Sequence, residues 1–119
     1  MQFLLLIYEN EALRADRSDA QNKAIFNEYM EFTKGIVQSG HFKAGDALQS
    51  VKTAKTVRVK DGATLATDGP FAETREQLGG YYLIEAKDLD EAIAIGAKIP
   101  AARHGSLEVR PIMAMNMSS

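Results

Sequence analysis

The chain has 119 residues, of which 45% are hydrophobic and 25% charged, and its net charge is −2 at pH 7. This length supports one globular domain, residues 1–119. The weak negative charge argues against nucleic acid as the main partner, because such binding depends on clustered Lys and Arg that neutralise phosphates. The absence of cysteine excludes disulfides, thiolate nucleophiles and Cys-ligated zinc.

The apolar stretch at residues 3–8 does not have the form of a signal peptide. It is too short, lacks preceding basic residues and runs into charged residues. No later segment approaches the ~20 apolar residues of a membrane span. The sequence therefore predicts a cytoplasmic protein without a membrane partner.

Residues 3–8 instead predict a strand that is buried on both faces, because apolar residues there do not alternate with polar ones. A polar stretch follows at 9–17. Ser18 and Gln21 then have the spacing of a capping box, and apolar residues recur after them at helical spacing. Gly40 is suited to the left-handed end of this helix.

The middle of the chain predicts an irregular strand at 41–49 and then a hairpin. Residues 56–60 alternate apolar and polar side chains, and residues 63–68 form the returning strand. Asp61-Gly62 between them is suited to a two-residue turn.

A two-residue loop pairs Val57 with Ala66 and Lys55 with Asp68 across this hairpin. Solvation and protection against edge-to-edge pairing account for the basic residues along it, which are Lys52, Lys55, Arg58 and Lys60. No nucleic-acid partner is needed to explain them.

The remaining elements complete an alternating order of strands and helices. Residues 72–78 predict a short helical turn or an ordered loop, followed by a strand at 81–86 after Gly79-Gly80. A second capping-box spacing at Asp88 opens a helix that ends before Pro100. Residues 107–115 predict a last strand, which is an edge strand or bends because it contains a proline.

The order strand, helix, strand, hairpin, strand, helix, strand is that of a ferredoxin-like α+β fold with an antiparallel sheet and two helices on one face. Two helices cannot cover both faces, yet strands 3–8 and 81–86 carry apolar side chains on both. Face-to-face pairing of two copies buries the second face, so the sequence predicts a homodimer. A long loop folded over the sheet is the competing solution.

A long central segment, residues 67–82 (TDGPFAETREQLGGYY), resembles the signature of the DGPF branch of the YCII-related protein family. Similar segments extend over nearly the whole chain, at residues 56–58 (TVR), 88–92 (DLDEA) and 108–111 (EVRP). The resemblance implies a ferredoxin-like unit that pairs into a dimeric α+β barrel.

The resemblance implies less about function. Family members are regarded as enzymes because a cleft beside the sheet holds an acidic residue, often with a histidine nearby, but most have no established reaction. The DGPF branch also tends to be encoded beside extracytoplasmic-function sigma factors, which implies a regulatory setting.

Asp68 is the leading candidate for a catalytic acid or base. It ends a strand beside Gly69, which lets a ligand approach the backbone, and Pro70, which stiffens the loop. The alternative is that Asp68 shapes the turn or pairs with Lys55. His104 is its candidate partner because histidine titrates near neutral pH, and the alternative for His104 is an exposed loop position.

The remaining candidates would bind the substrate. Arginine can hold a carboxylate with two hydrogen bonds, and a tyrosine on an inner strand can point its hydroxyl into a cleft. With the loop beside Asp68, these candidates are Tyr8, Arg58, Gly69, Pro70, Phe71, Arg75, Tyr81 and Arg110. Packing is the alternative for the tyrosines, and local salt bridges are the alternative for Arg75.

These residues predict a small-molecule-binding homodimer that acts on a small anionic metabolite without a cofactor, by elimination, isomerisation or hydrolysis. The alternative is a non-catalytic module that binds a ligand or a regulatory protein. A third hypothesis, from the fold alone, is a cofactor-free or haem-using monooxygenase. No metal site is predicted, because the two histidines lie far apart without carboxylates at ligand spacing.

Overall fold

The computed structural model of the protein describes residues 1–114. Within them the elements are β1 (Gln2–Glu9), α1 (Glu11–Ala15), α2 (Asp19–Gln38), β2 (Phe42–Ala47), a 3₁₀ turn (Val51–Thr53), β3 (Lys55–Lys60), β4 (Ala63–Asp68), β5 (Gln77–Glu85), α3 (Leu89–Gly96), α4 (Ala101–His104) and β6 (Ser106–Pro111). Strands β2, β5, β1 and β6, in that spatial order, form one antiparallel sheet, and β3 and β4 form a separate two-stranded sheet. The predicted ferredoxin-like α+β fold is confirmed.

The core lies between the four-stranded sheet and its helices. Along β1, Phe3, Leu5 and Ile7 are buried, whereas the side chains between them are only half-buried. The buried residues of β1 and β5 pack against Ile36, Ala92, Ile95 and Ala101 of the helices and against Ile99 in the turn between α3 and α4. The helices therefore cover one face of the sheet. The opposite face, here called the open face, carries Leu4, Leu6 and Tyr8 of β1 and Leu83 of β5.

Hydrogen-bonding side chains set the helix starts as predicted. Ser18 and Gln21 form the reciprocal capping box of α2. The Asp88 side chain accepts the N–H of Glu91 at 2.9 Å. The reciprocal bond of a capping box does not form there, because the Glu91 carboxylate accepts the N–H of Lys87 and not that of Asp88. At the end of α2, Gly40 has a φ of 82°, the left-handed conformation that favours glycine.

Two short helices were not predicted. In the polar stretch at 9–17, to which no element was assigned, the Asn10 side chain accepts the N–H groups of Ala12 and Leu13 and so starts α1. One turn of helix is too short for a hydrophobic period to reveal it. The same limit applies to α4, which follows Pro100 and has no side-chain cap.

Two strand boundaries differ from the prediction. Gly79 and Gly80 were predicted to precede the strand but lie inside β5. Strand β2 approaches β5 closely here, because a Cβ on Gly80 would lie 3.0 Å from the Asp46 carbonyl oxygen on β2. Strand β6 ends at Pro111, and Met115 of the predicted strand lies outside the described residues. Because β6 is the outer strand, the predicted edge position of its proline is confirmed. The other edge, β2, has an irregularity at Lys43.

The hairpin has the predicted register, with Val57 opposite Ala66 and Lys55 opposite Asp68. Asp61 and Gly62 both have positive φ, as a tight two-residue turn requires. Every residue of β4 and all but one of β3 are exposed. The hairpin, here called the arm (residues 55–68), therefore does not fold over the open face. The rest of the described chain is called the body.

The base of the arm is fixed to α1. The Glu11 carboxylate accepts the Ser50 hydroxyl at 2.6 Å and the Val51 N–H at 3.1 Å. These two hydrogen bonds, in that order, lower the pKa of Glu11 from its ordinary value of 4.5. A charged carboxylate at residue 11 therefore stabilises the segment that leads into β3.

Among residues 1–114, no helix combines the length and the apolar character that crossing a membrane requires.

Substitution by alanine should change the free energy of unfolding in opposite directions at two of the glycines. A Cβ on Gly105 would collide with the carbonyl oxygen of Tyr8, whereas a Cβ on Gly35 in α2 meets nothing within 4 Å. We expect Gly105→Ala to lower the free energy of unfolding by at least ~1–3 kcal/mol. Gly35→Ala should raise it by about 0.5–1 kcal/mol, because alanine favours the helix. Urea unfolding measures both, and equal effects would contradict the close approach at Gly105.

Glu11→Gln should lower stability in a pH-dependent manner. Because folding depresses the pKa of Glu11, its contribution is fully present above the unfolded-state value and is lost as pH falls through the lower folded-state value. The difference in free energy of unfolding between wild type and Glu11→Gln should therefore be largest near neutral pH and shrink below a pH of about 4. A difference that stays constant over this range would exclude the ionised carboxylate as its cause.

Candidate functional site

A cleft of about 430 Å³ opens where α1 and the first half of α2 meet the ends of β1, β2 and β5. One part of its wall is apolar and includes Ile7, Ile25, Phe26, Met30, Phe42 and Tyr82. The polar part includes Glu9, Glu11, Arg14, Arg17, Tyr29 and Asp46. Its size and mixed lining are those of a small-molecule site.

Glu9 is the buried charged residue of the cleft. It ends β1 on the side that faces the helices, and only 7% of its surface is exposed. Its Oε2 atom lies 3.6 Å from a guanidinium nitrogen of Arg17. Its Oε1 atom is buried and accepts no hydrogen bond from the described residues. An unpaired carboxylate oxygen in a protein interior is costly, so this atom requires an explanation.

Two tyrosines lie on the wall near Glu9. Burial raises the pKa of Tyr29 to about 12, and the charge of Glu9 acts in the same direction. The phenol of Tyr29 is therefore neutral at physiological pH and able to donate a hydrogen bond. Burial also raises the pKa of Tyr82, whose hydroxyl lies 2.7 Å from that of Thr33. Tyr82 is thus fixed between the sheet and α2.

The two arginines of the cleft differ in their partners. Arg17 is 18% exposed and lies beside Glu9. No carboxylate of the described residues lies within 4 Å of the Arg14 guanidinium, although its charge acts on both Glu11 and Tyr29. A guanidinium nitrogen of Arg14 would lie 3.7 Å from a Cβ on Gly79. Arg14 therefore offers hydrogen-bond donors at the mouth of the cleft.

The other two acids of the lining are already engaged. Glu11 accepts hydrogen bonds from the base of the arm. Asp46 accepts the hydroxyl of Tyr81 at 2.6 Å, which raises the pKa of that tyrosine. Glu9 is therefore the acid of this set with an oxygen left for a further contact.

The leading sequence candidates lie elsewhere. Asp68 is at the end of β4 on the arm, 88% of its side chain is exposed, and it pairs with Lys55. His104 ends α4 on the body and is exposed. No hydrogen bond or ion pair in the described part of the chain joins the two side chains, and neither lines the cleft. Their proposed catalytic roles stay predictions.

The predicted binding residues are divided among three places. Arg58 is on the arm, and Gly69, Pro70, Phe71 and Arg75 form the loop that follows it, where the Phe71 side chain is 82% exposed. The ion pairs expected between Arg75 and its neighbouring glutamates do not form within residues 1–114. Tyr8 and Arg110 belong to the open face, where Arg110 pairs with Glu108. Of the predicted binding set, Tyr81 contributes to the cleft.

A second, shallower groove of about 680 Å³ lies between α2 and α3. At its edge the Ser39 hydroxyl is 2.6 Å from Nδ1 of His41, and Nε2 of His41 is 3.2 Å from the Glu91 carboxylate. This row resembles a nucleophile with its base and acid. It sits at the C-terminal end of α2, however, where the helix dipole disfavours the negative charge that forms during acyl transfer. We interpret it as a structural link between α2, β2 and α3.

No group of three or more histidine or acidic side chains within residues 1–114 is arranged to hold a metal ion.

Sequence reasoning missed the cleft residues Glu9, Arg14, Arg17 and Tyr29. The sequence does contain a signal for Glu9. Alternate side chains of a strand point to the same face, so Glu9 continues the buried row of Phe3, Leu5 and Ile7 along β1. No comparable signal marked the arginines, whose position depends on the unpredicted helix α1.

The match to a family model shows the family of the chain. The model of the YCII-related domain matches residues 1–116. A protein of Rhizobium meliloti (strain 1021), which is uncharacterized, is 33% identical over 114 residues that cover 94% of this chain and 92% of that protein. The structure of 5-chloro-2-hydroxyhydroquinone dehydrochlorinase from Burkholderia phenoliruptrix AC1100, in complex with 2,5-dihydroxybenzoquinone, is similar with a TM-score of 0.48 and 12% identity, over 95% of this chain and 94% of that one. Because the family match spans nearly the whole chain, the protein belongs to the YCII-related family.

Proposed function

We propose that the protein binds a small organic anion in the cleft and that Glu9 transfers a proton to or from it. The observation that carries this proposal is the buried Oε1 atom of Glu9, a residue of the cleft wall, which has no hydrogen-bond donor among the described residues. A structural carboxylate buried to this degree normally has both oxygens paired. A substrate proton or hydroxyl at this position would supply the missing partner.

The charged side chains of the cleft wall sum to −1, from Glu9, Glu11, Asp46, Arg14 and Arg17, so binding of an anionic ligand depends on one local cation. Glu9 and Arg17 offset each other, and the other two acids of the wall are engaged with the arm base and with Tyr81. Among residues 1–114, Arg14 has no acidic partner within 4 Å of its guanidinium. Because a guanidinium matches a carboxylate with two parallel hydrogen bonds, Arg14 is suited to orient such a group. The apolar wall would hold the rest of a small molecule.

The chemistry that fits is general acid–base catalysis without a cofactor. Glu9 would take a proton from a carbon or hydroxyl of the substrate, and the electron pair left behind would form an enolate or expel a leaving group. Returning the proton to another atom gives isomerisation, and releasing it to water gives elimination. In hydrolysis, Glu9 would instead take the proton from the attacking water. Arg14 and the neutral phenol of Tyr29 would stabilise the developing negative charge.

We also propose that the protein is cytoplasmic and belongs to the DGPF branch of the family. Two copies of it would pair through the open face to form a homodimer. The support for pairing is the set of half-buried apolar side chains on this face, Leu4, Leu6 and Leu83, which no helix in the described part of the chain covers. The support for the branch is the segment at residues 67–82. Sedimentation equilibrium should give twice the chain mass of 13.0 kDa.

Glu9→Gln tests the catalytic role, because it keeps the side-chain shape and removes the base. A panel of small hydroxy-, keto- and aromatic carboxylic acids is first screened for binding by thermal shift and for turnover by NMR. With the best substrate, Glu9→Gln should lower kcat by about 10²–10⁴-fold and change the ligand Kd little. Urea unfolding of the variant verifies that it is folded.

Turnover that survives Glu9→Gln, or is lost in Asp68→Asn or His104→Gln instead, would move the catalytic site to the arm and α4. Binding without turnover of any panel compound would remove the catalytic part and leave a non-catalytic binding module. Failure of every compound to bind wild type would contradict the cleft as an anion site.

Arg14→Gln tests the orientation of the anion. Loss of a charged hydrogen bond should raise the ligand Kd by about tenfold or more. The matched control is Arg103→Gln, which removes an exposed arginine that pairs with Glu28 and does not line the cleft. Equal effects of the two changes would attribute the loss to overall charge and contradict a contact with Arg14.

A further inference from the structure

Tyr82 of β5 is held rigidly in the cleft wall. Its ring meets the rings of Phe32 and Phe42 edge to face, with centroids 5.2 and 6.3 Å from its own. The ring also lies against the backbone of β2, where a Cβ on Gly45 would come within 2.8 Å of it. Tyr82 is buried among these groups. Its hydroxyl therefore has a fixed position, and the direction of its hydrogen bond decides what it offers to a ligand.

The hydroxyl hydrogen of Tyr82 is used inside the wall. The Thr33 hydroxyl donates to the Tyr29 carbonyl at 2.8 Å and lies 2.7 Å from the Tyr82 hydroxyl. A threonine hydroxyl has one hydrogen, so Tyr82 is the donor when both contacts are hydrogen bonds. The reverse direction would leave the hydrogen of a buried phenol without an acceptor among residues 1–114, which is costly. Tyr82 thus presents acceptor lone pairs to the cleft.

Other oxygens of the wall are acceptors as well. Oε1 of Glu9 is a buried carboxylate oxygen without a hydrogen bond from the described residues. Tyr81 gives its hydroxyl hydrogen to Asp46. After the larger effect of burial, Glu9 and Tyr82 both raise the pKa of Tyr29 through their charges, which indicates that the two acceptors lie around the same phenol. Glu9 and Tyr82 are here called the acceptor pair.

The acceptor pair limits which group of a ligand can lie beside it. An ether, a ketone or a second carboxylate would place lone pairs against lone pairs and leave buried acceptors unpaired. A hydroxyl can donate to the pair and can also accept the hydrogen of the neutral Tyr29 phenol. Arg14 supplies donors for a carboxylate at the mouth of the cleft. The wall therefore suits a ligand that carries a carboxylate and a hydroxyl.

We propose that the cleft selects hydroxy-substituted carboxylic acids, whose carboxylate binds Arg14 and whose hydroxyl donates to the acceptor pair. Tyr82 is then a specificity-determining residue. Thr33 is a positioning residue that acts through Tyr82, because it takes up the hydrogen that Tyr82 would otherwise offer to the ligand. This inference rests on the proposed binding of an organic anion in the cleft and narrows the class of that anion.

The test compares benzoates that differ in one ring substituent. Fluorine is close to a hydroxyl in size but cannot donate, and a methoxy group accepts without donating. The ortho, meta and para hydroxybenzoates vary the distance from the carboxylate to the hydroxyl, and each is titrated by calorimetry beside its fluoro and methoxy counterparts. At least one hydroxybenzoate should bind wild type about ten- to a hundredfold more tightly than either counterpart, because those leave the acceptor pair without a donor.

Variants of Thr33 and Tyr82 test the direction of the hydrogen bond. Thr33→Val keeps the side-chain shape and frees the Tyr82 hydrogen, so the methoxybenzoate should bind about fivefold more tightly than to wild type. Tyr82→Phe should reduce the preference for the hydroxyl without this gain. Thr33→Ser keeps the hydroxyl and should retain the wild-type preference. Thr64→Val, at an exposed threonine of β4, is the matched control and should change no affinity.

The outcomes separate this inference from the function on which it rests. Equal binding of the hydroxy-, fluoro- and methoxybenzoates to wild type would overturn the selection of a hydroxyl and leave the cleft as an anion site. A preference that stays unchanged in both Thr33→Val and Tyr82→Phe would overturn the roles of these two residues. Binding of a panel acid without a hydroxyl, when no hydroxybenzoate binds, would overturn the inference alone. Failure of every acid to bind would overturn the anion site with it.

Discussion

The strict alternation of side chains along β1 is the constraint on which the structure depends. This strand is hydrogen-bonded to β5 on one side and β6 on the other, so its register is fixed from both edges. A slip by one residue would exchange the two faces of the strand and expose Phe3, Leu5 and Ile7. The same alternation brings Glu9 into the interior, as the fourth member of a row whose other three members build the core. The cleft is thus an extension of the core in which a carboxylate takes the place of an apolar residue.

Most of the fold could be predicted, because local chemistry and tertiary packing agree in most elements. The capping box at Ser18 and the turn at Asp61-Gly62 are local devices whose residues determine the backbone directly. The predictions failed where local signals were short or ambiguous. Helix α1 is a single turn started by Asn10, and Gly79-Gly80 has the composition of a break but continues β5 because β2 approaches it closely.

The candidate site was harder to predict than the fold, because its residues come from elements that the sequence does not connect. Arg14 reaches the cleft on a helix that Asn10 starts, and Glu9 reaches it by strand parity. The first part of the segment with the strongest resemblance, which includes Asp68 and Phe71, lies on the arm and in the loop after it, whereas residues 77–82 of the segment belong to β5 and contribute to the cleft wall. A sequence motif therefore indicated the family correctly without locating the buried acid.

The two outer strands of the sheet restrict how the protein can associate. An exposed strand edge offers unpaired N–H and C=O groups on which another chain can add, and such addition continues without limit. Here Pro111 removes an N–H donor at the end of β6, and the irregularity at Lys43 interrupts β2 with a charged residue. Addition of further strands is therefore disfavoured at both edges of the sheet. Copies of the chain are limited to closed assemblies and do not extend into fibres.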